Sequence, residues 1–252
     1  MLLAEKVAVI TGASRGIGHA IAMAFAQEGA NVVIASRKQE ALDQTSKEIE
    51  AVGVKCAAFV TNTGYMEQCK ALIDQTLATF GRVDIVVNNA ATNPHFGPIL
   101  TSEPSHWQKI IDVNMMGYFW VSKFAAEFMQ ENGGGKIINI ASIAGIRPGP
   151  MMGIYSVSKA AVIMMTKVLA QELGGYNIQV NAIAPGIIKT RFAEALWSNP
   201  QLSKAYTDRT PAGRVGEPEE IAGAAVYLAS SQSSYHNGDV LVIDGGNSTM
   251  GF

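Results

Sequence analysis

The segment Thr11-Gly12-Ala13-Ser14-Arg15-Gly16-Ile17-Gly18 stands between a β-branched run, Val7-Ala8-Val9-Ile10, and a helical pattern over residues 16–28. No other feature restricts the fold as strongly. Glycines in a strand-to-helix turn let the backbone close on a pyrophosphate, whose charge is met by free N–H groups and the positive end of the helix dipole. Gly12, Ser14, Arg15, Gly16, Ile17 and Gly18 are therefore expected to bind a dinucleotide. The motif ends Gly16-Ile17-Gly18 rather than in Gly-Lys-Ser/Thr, which argues against a phosphate-transferring P-loop.

The alternation continues with a strand at 31–35, a helix at 39–52, a strand at 56–60, a helix at 66–80 and a strand at 83–87. A helix at 105–131, stopped by Gly133-Gly134-Gly135, precedes a strand at 136–141, a helix at 155–174 and a strand at 179–184. A polar insertion at about 190–218 reads as a lid, and a helix at 219–229 and a strand at 240–243 close the pattern. Strands without polar alternation are buried on both faces. The expected fold is α/β: a Rossmann-type doubly wound parallel sheet of about seven strands with helices on both faces, forming one domain over residues 1–252.

With 19 Lys+Arg against 21 Asp+Glu, the chain lacks the basic excess that nucleic-acid binding needs. Its 48% apolar residues exclude disorder. Cys56 and Cys69 form no CxxC pair, and His19, His95, His106 and His236 have no ligand spacing, so neither a disulfide framework nor a metal is expected. The N-terminus has no export signal, and no apolar run approaches the roughly 18 residues of a membrane span. A cytoplasmic protein is expected.

The second strand ends Ala35-Ser36-Arg37-Lys38, where an acid would grip a bare ribose 2′-hydroxyl. Arg37 and Arg15, with Ser36 and Lys38, suit a 2′-phosphate instead, so NADP(H) is favoured over NAD(H). Tyr155 and Lys159 lie four apart on a helix, and a cation beside a phenol eases proton exchange near neutral pH. Ser142 follows the fifth strand at the carboxyl edge, where open α/β sheets place ligands.

Taken in order, Thr11 to Gly18, Asn88-Asn89-Ala90-Ala91, Asn114, Ser142, Tyr155 with Lys159, Pro185-Gly186 and Asp244-Gly245-Gly246 resemble the short-chain dehydrogenase/reductase family over essentially the full chain. The resemblance implies Tyr155 as general acid/base, with Ser142 hydrogen-bonded to the reacting oxygen. Lys159 would lower the Tyr155 pKa and hold the nicotinamide ribose, and Asn114 would keep a water in a proton relay. It also implies cofactor contacts at Asn89, Ala90, Pro185, Gly186, Ile188 and Thr190, and a homotetramer. The chain departs from the family at Ala91, where glycine is usual, and near the adenine, where Phe59-Val60 stands and Val60 is left as a backbone partner. At the family's carrier-protein-docking arginines it has Gly133 and Tyr176.

Candidate substrate neighbours are His95, Phe96, Ile143, Met151, Met152, Ile187, Phe192 and Trp197. No fixed cluster of Arg or Lys marks a carboxylate or phosphate anchor, so a small neutral ketone, aldehyde or secondary alcohol is expected. The alternatives are an NAD(H)-dependent alcohol dehydrogenase, a 3-oxoacyl-thioester reductase, and a nucleotide-sensing module without catalysis. Asp84 and Asp244 read as structural.

Overall fold

Seven strands form in the computed structural model, which describes residues 1–249: β1 (Val7–Thr11), β2 (Asn31–Ser36), β3 (Cys56–Val60), β4 (Ile85–Asn88), β5 (Gly135–Ile140), β6 (Ile178–Pro185) and β7 (Val240–Ile243). They form one sheet in the order β3-β2-β1-β4-β5-β6-β7, and every pairing is parallel. Nine α-helices are described: α1 (Gly16–Gln27), α2 (Gln39–Glu50), α3 (Met66–Phe80), α4 (Pro104–Ile110), α5 (Gly117–Glu131), α6 (Gly153–Leu173), α7 (Glu194–Trp197), α8 (Pro200–Thr207) and α9 (Pro218–Ala229).

Because side chains alternate along a strand, the sheet feeds two cores. On one face Ala8, Ile10, Ile34, Val87 and Ile138 pack with Ile21 and Phe25 of α1 and Ile221 and Leu228 of α9. On the other, Val7, Val9, Val33, Val86 and Ile137 meet Leu72 of α3, Val121 and Met129 of α5 and Leu173 of α6. Burying each such Leu, Ile or Phe stabilises by roughly 1.5–3 kcal/mol. Chain order reverses between β1 and β4, which opens a crevice at their carboxyl ends.

Three features differ from expectation. The helix at 105–131 is interrupted by a π-helical turn at Ile111–Met116, between α4 and α5. The Asn114 side chain there is tied to the Thr92 backbone, accepting from its N–H at 2.8 Å and donating to its carbonyl at 3.0 Å. Gly117 then lies so close to Thr63 that a Cβ would stand 2.6 Å from the Thr63 carbonyl oxygen. Both contacts hold the widened turn.

The central strands also carry buried amides. Asn88 Nδ2 donates to Asn139 Oδ1 and to Ser122 Oγ, each at 2.9 Å, and Asn139 Nδ2 donates to Thr166 Oγ1 at 2.9 Å. These bonds satisfy both amide nitrogens and Asn139 Oδ1, while the buried Asn88 Oδ1 has no hydrogen-bond partner. Finally, the helical segment Gly153–Tyr176, which contains α6, is long and apolar enough by length and composition to cross a membrane, contrary to the reading of the sequence. Here it packs along the sheet, with Ile154, Val162 and Ala170 buried.

Candidate active site

The glycine turn is clamped to the segment after β4. Thr11 Oγ1 accepts from the Asn89 and Ala90 N–H groups at 3.0 and 3.1 Å, and Asn89 Nδ2 donates to the Thr11 and Gly12 carbonyls at 2.9 and 3.1 Å. Gly12 has φ +66°, and a Cβ at Gly18 would stand 2.4 Å from Asn89 Nδ2 and 2.6 Å from the Gly12 carbonyl oxygen. Gly18 is therefore a close-packing position and does not face the cleft, a correction to its expected cofactor contact.

A cleft of about 1270 Å³ runs along this edge. Gly12, Ser14, Arg15, Gly16 and Ile17 line one end with Ser36, Arg37 and Lys38, and Asn89 and Ala90 line its middle. Pro185, Gly186, Ile188 and Thr190 form the wall toward the lid, and Ile143, Met152, Ile187 and Phe192 stand near Ser142, Tyr155 and Lys159. The buried Ser36 Oγ has no hydrogen-bond partner. An unpaired hydroxyl beside two cations, reached from a glycine turn at a helix N-terminus, fits the ribose and phosphates of a dinucleotide.

Several expected contacts fall elsewhere. Val60 is 54% exposed and lies outside the cleft, where Thr61, Asn62 and Thr63 stand instead. Asn62, two residues beyond the expected place, is the polar group at the end of β3; its Oδ1 accepts from the Gly64 N–H at 3.1 Å. His95 is bonded to Thr101 Oγ1 at 2.9 Å and does not line the cleft. Trp197 donates from Nε1 to the Thr190 carbonyl at 2.8 Å and faces a separate depression beside Lys189 and Arg214. The fully buried Asn114 does not reach the cleft either. Its amide is held by Thr92 and by Ser158 Oγ at 3.1 Å, so it bears on the cleft through Thr92, which lines it. Asp84 accepts from the Val7 N–H and Asp244 from the Gly246 and Ser248 N–H groups, both structural as expected.

The chemical cluster is assembled from β5 and α6. Ser142 Oγ accepts from the Ala144 N–H at 3.1 Å and stands beside the Tyr155 phenol. Burial pushes the Tyr155 phenol up to about 12, and the neighbouring Ser142 hydroxyl opposes this. The sequence led us to expect the Lys159 cation to lower that value. Instead Lys159 Nζ donates to the Ile140 carbonyl at 2.7 Å and to Tyr118 Oη at 3.2 Å, and stands 5.7 Å from the Tyr155 ring centre. Burial brings Lys159 itself down to about 7. Tyr118, buried on α5 and donating to the same Ile140 carbonyl at 3.1 Å, was not foreseen. Only its place one turn beyond Asn114 could have hinted at it. The Phe192 ring lies 5.7 Å from that of Tyr155.

Arginines form the remaining part of the wall. Arg147, Arg191 and Arg209 line the cleft as well, three cations that the sequence did not mark.

Comparison with known proteins agrees with this geometry. A family model described as Enoyl-(Acyl carrier protein) reductase matches residues 12–248. Rabbit (Oryctolagus cuniculus) dehydrogenase/reductase SDR family member 4 is 40% identical over 244 residues, covering 97% of this chain and 94% of that protein. The chain belongs to the short-chain dehydrogenase/reductase family. The Thermotoga maritima 3-oxoacyl-[acyl-carrier-protein] reductase FabG is 40% identical over 247 residues, covering 98% of this chain and 99% of its own length. A gluconate 5-dehydrogenase from Burkholderia cenocepacia, solved with NADP and tartrate, superposes with a TM-score of 0.95 at 36% identity, covering 99% of this chain and 97% of that one. The protein is a short-chain dehydrogenase/reductase oxidoreductase, with the Rossmann-type sheet of its structural neighbours.

Proposed function

We propose that the protein is an NADP(H)-dependent reductase that interconverts a ketone with a secondary alcohol, or an aldehyde with a primary one. One observation carries the reading: a single cleft joins a glycine turn flanked by Arg15, Arg37 and the unpaired Ser36 hydroxyl to the neighbouring hydroxyls of Ser142 and Tyr155. Gly12, Ser14 and Ile17 would hold the pyrophosphate, and Arg15, Arg37 and Lys38 a 2′-phosphate. The absence of any acid among the described residues lining the cleft favours NADP(H) over NAD(H). A bound nicotinamide supplies or accepts the hydride.

The chain's own groups handle the proton. As a carbonyl carbon is reduced its oxygen gains negative charge, and donors already aimed at it lower the barrier without reorganising. Ser142 and Tyr155 are such donors. A phenol kept protonated by burial is ready to give its proton to that oxygen, which suits the reducing direction at neutral pH. Lys159, anchored between Ile140 and Tyr118, stands at the floor of the cleft, where its ammonium form steadies the developing anion. Phe192 closes over Tyr155 and sheds water from the reacting atoms.

The test is consumption of NADPH and of NADH with a panel of ketones and aldehydes. A higher kcat/KM with NADPH is expected, together with a loss of at least ~100-fold in kcat for Tyr155→Phe. Turnover of Tyr155→Phe at the unmodified rate would sink the acid/base role, and preference for NADH would sink the cofactor assignment. We propose further that the protein works as a homotetramer in the cytoplasm. Support comes from the exposed apolar stripe on α6 and from two free thiols.

A further inference from the structure

Behind the cleft, three polar groups close into a triangle. Tyr118 Oη donates to the Ile140 carbonyl at 3.1 Å, and Lys159 Nζ donates to the same carbonyl at 2.7 Å and to Tyr118 Oη at 3.2 Å. The side between the phenol and the ammonium has a fixed sense. A phenol has one proton, and Tyr118 commits it to Ile140, so only lone pairs of its oxygen face Lys159. Burial holds the Tyr118 phenol well above its ordinary pKa, which keeps it a neutral acceptor.

Three elements fix its corners. Tyr118 is buried on α5, its ring packed with Ala141, Val162, Ala182 and Ala184. Ile140 ends β5, and Lys159 belongs to α6, where a Cβ at Gly145 would stand 2.6 Å from the Lys159 carbonyl carbon, so the turn after β5 lies flat on the helix at that residue. An ammonium has three N–H donors. Two of those on Lys159 are taken by Ile140 and Tyr118, and the third has no acceptor among the described residues. Lys159 lines the cleft and Tyr118 does not, which leaves the free donor on the cleft side. Among the described residues no carboxylate faces Lys159. The titratable groups around it are the two phenols, with Nζ 4.9 Å from the Tyr118 ring centre and 5.7 Å from that of Tyr155.

We infer that Tyr118 is a positioning residue of the reaction: acting through Lys159, its hydroxyl turns the remaining N–H of the ammonium into the cleft and supports the charge there. This rests on the reductase reading for what Lys159 does, and adds what holds it in the direction and the protonation state that the role needs. Without its second acceptor the ammonium would lose a charge-assisted bond while its desolvation cost remained, and the neutral amine would gain. Phenylalanine at 118 would leave the ring in its packing and remove the oxygen alone.

Two measurements on Tyr118→Phe test this. In the ligand-free protein the carbon-13 signal of the Lys159 Cε, assigned with Lys159→Met, should titrate about one to two pH units lower than in the unmodified protein, as loss of a hydrogen bond to a charged group implies. The signal of Lys136, whose ammonium is also brought down by burial but is bonded to Ser233, should stay in place as the reference. With NADPH and acetophenone or ethyl acetoacetate, the alkaline limb of kcat should move to lower pH, so that the loss is larger at pH ~8 than on the acid plateau, where Lys159 is charged in both proteins. A rate lowered equally at every pH, or a Lys159 titration left in place, would show a merely structural residue and overturn the inference. If Tyr118→Phe loses its fold by circular dichroism, 3-fluorotyrosine at position 118 takes its place. Ring fluorine weakens the oxygen as an acceptor and should move the Lys159 titration the same way by less, and no movement would count against the inference equally. If nothing turns over, the reductase reading has failed, and the titration of the ligand-free protein still decides whether Tyr118 governs Lys159.

Discussion

Lys159 shows how burial sets the working state of a single residue. Its ammonium is enclosed, satisfied by the Ile140 carbonyl and the Tyr118 hydroxyl, and burial lowers its pKa to about 7 from the ordinary lysine value of 10.5. Between those two values the unfolded chain holds a proton that the folded chain has released, so stability rises with pH across this window and is lost as pH falls toward 7. Lys159→Met removes that contribution. The plot of Tm against pH should therefore be shallower from pH ~7 to ~9 in Lys159→Met than in the unmodified protein. Lys136, lowered to about 8 by burial, has the same sign and remains in both proteins, so the difference between the curves isolates Lys159. Parallel curves would show that the buried ammonium carries no such penalty.

At the scale of elements, the lid is a set of short helices with identifiable stops. Asn199 caps α8, its Oδ1 accepting from the Gln201 and Leu202 N–H groups at 3.0 and 3.1 Å, with Pro200 at the first helical position. The helix then sets Tyr206, whose Oη accepts from the Ile187 N–H at 2.9 Å, and leads into Arg209. Asn199→Ala removes one cap and should cost about 1 kcal/mol, confined to this helix. Amide exchange of residues 200–207 should quicken several-fold while Tm hardly moves, and KM should rise more than kcat falls. A large drop in Tm instead would mean that α8 is coupled to the folding of the whole sheet.

The whole molecule leaves apolar surface that neither core absorbs. Val157, Met164 and Val168 recur at seven and four residues along the outer face of α6 and are 49%, 59% and 43% exposed, and Val242 on the edge strand β7 is 42% exposed. One stripe beside one open sheet edge suits isologous pairing of identical chains. Sedimentation should therefore give a species of about four times 26.7 kDa. Met164→Glu, which places a charge on that stripe, should shift the protein to smaller species with its fold intact by circular dichroism. A monomer at micromolar concentration in the unmodified protein would remove the tetramer.

What the sequence alone determined is what short stretches of chain encode. Strands at 56–60 and 240–243 fall where the short apolar runs placed them, and the glycine motif, Ser142 and the Tyr155–Lys159 pair all reach one cleft, because periodicity and turn chemistry act between near neighbours. Tertiary packing decided the rest. The π turn at Asn114 exists because its amide meets Thr92 from another part of the chain, and Lys159 turns to Tyr118 because α5 crosses behind β5. Arg147, Arg191 and Arg209, scattered along the chain, line one cleft only once the chain has folded. No local pattern can announce such meetings, since they depend on how the sheet twists and which helices cover it.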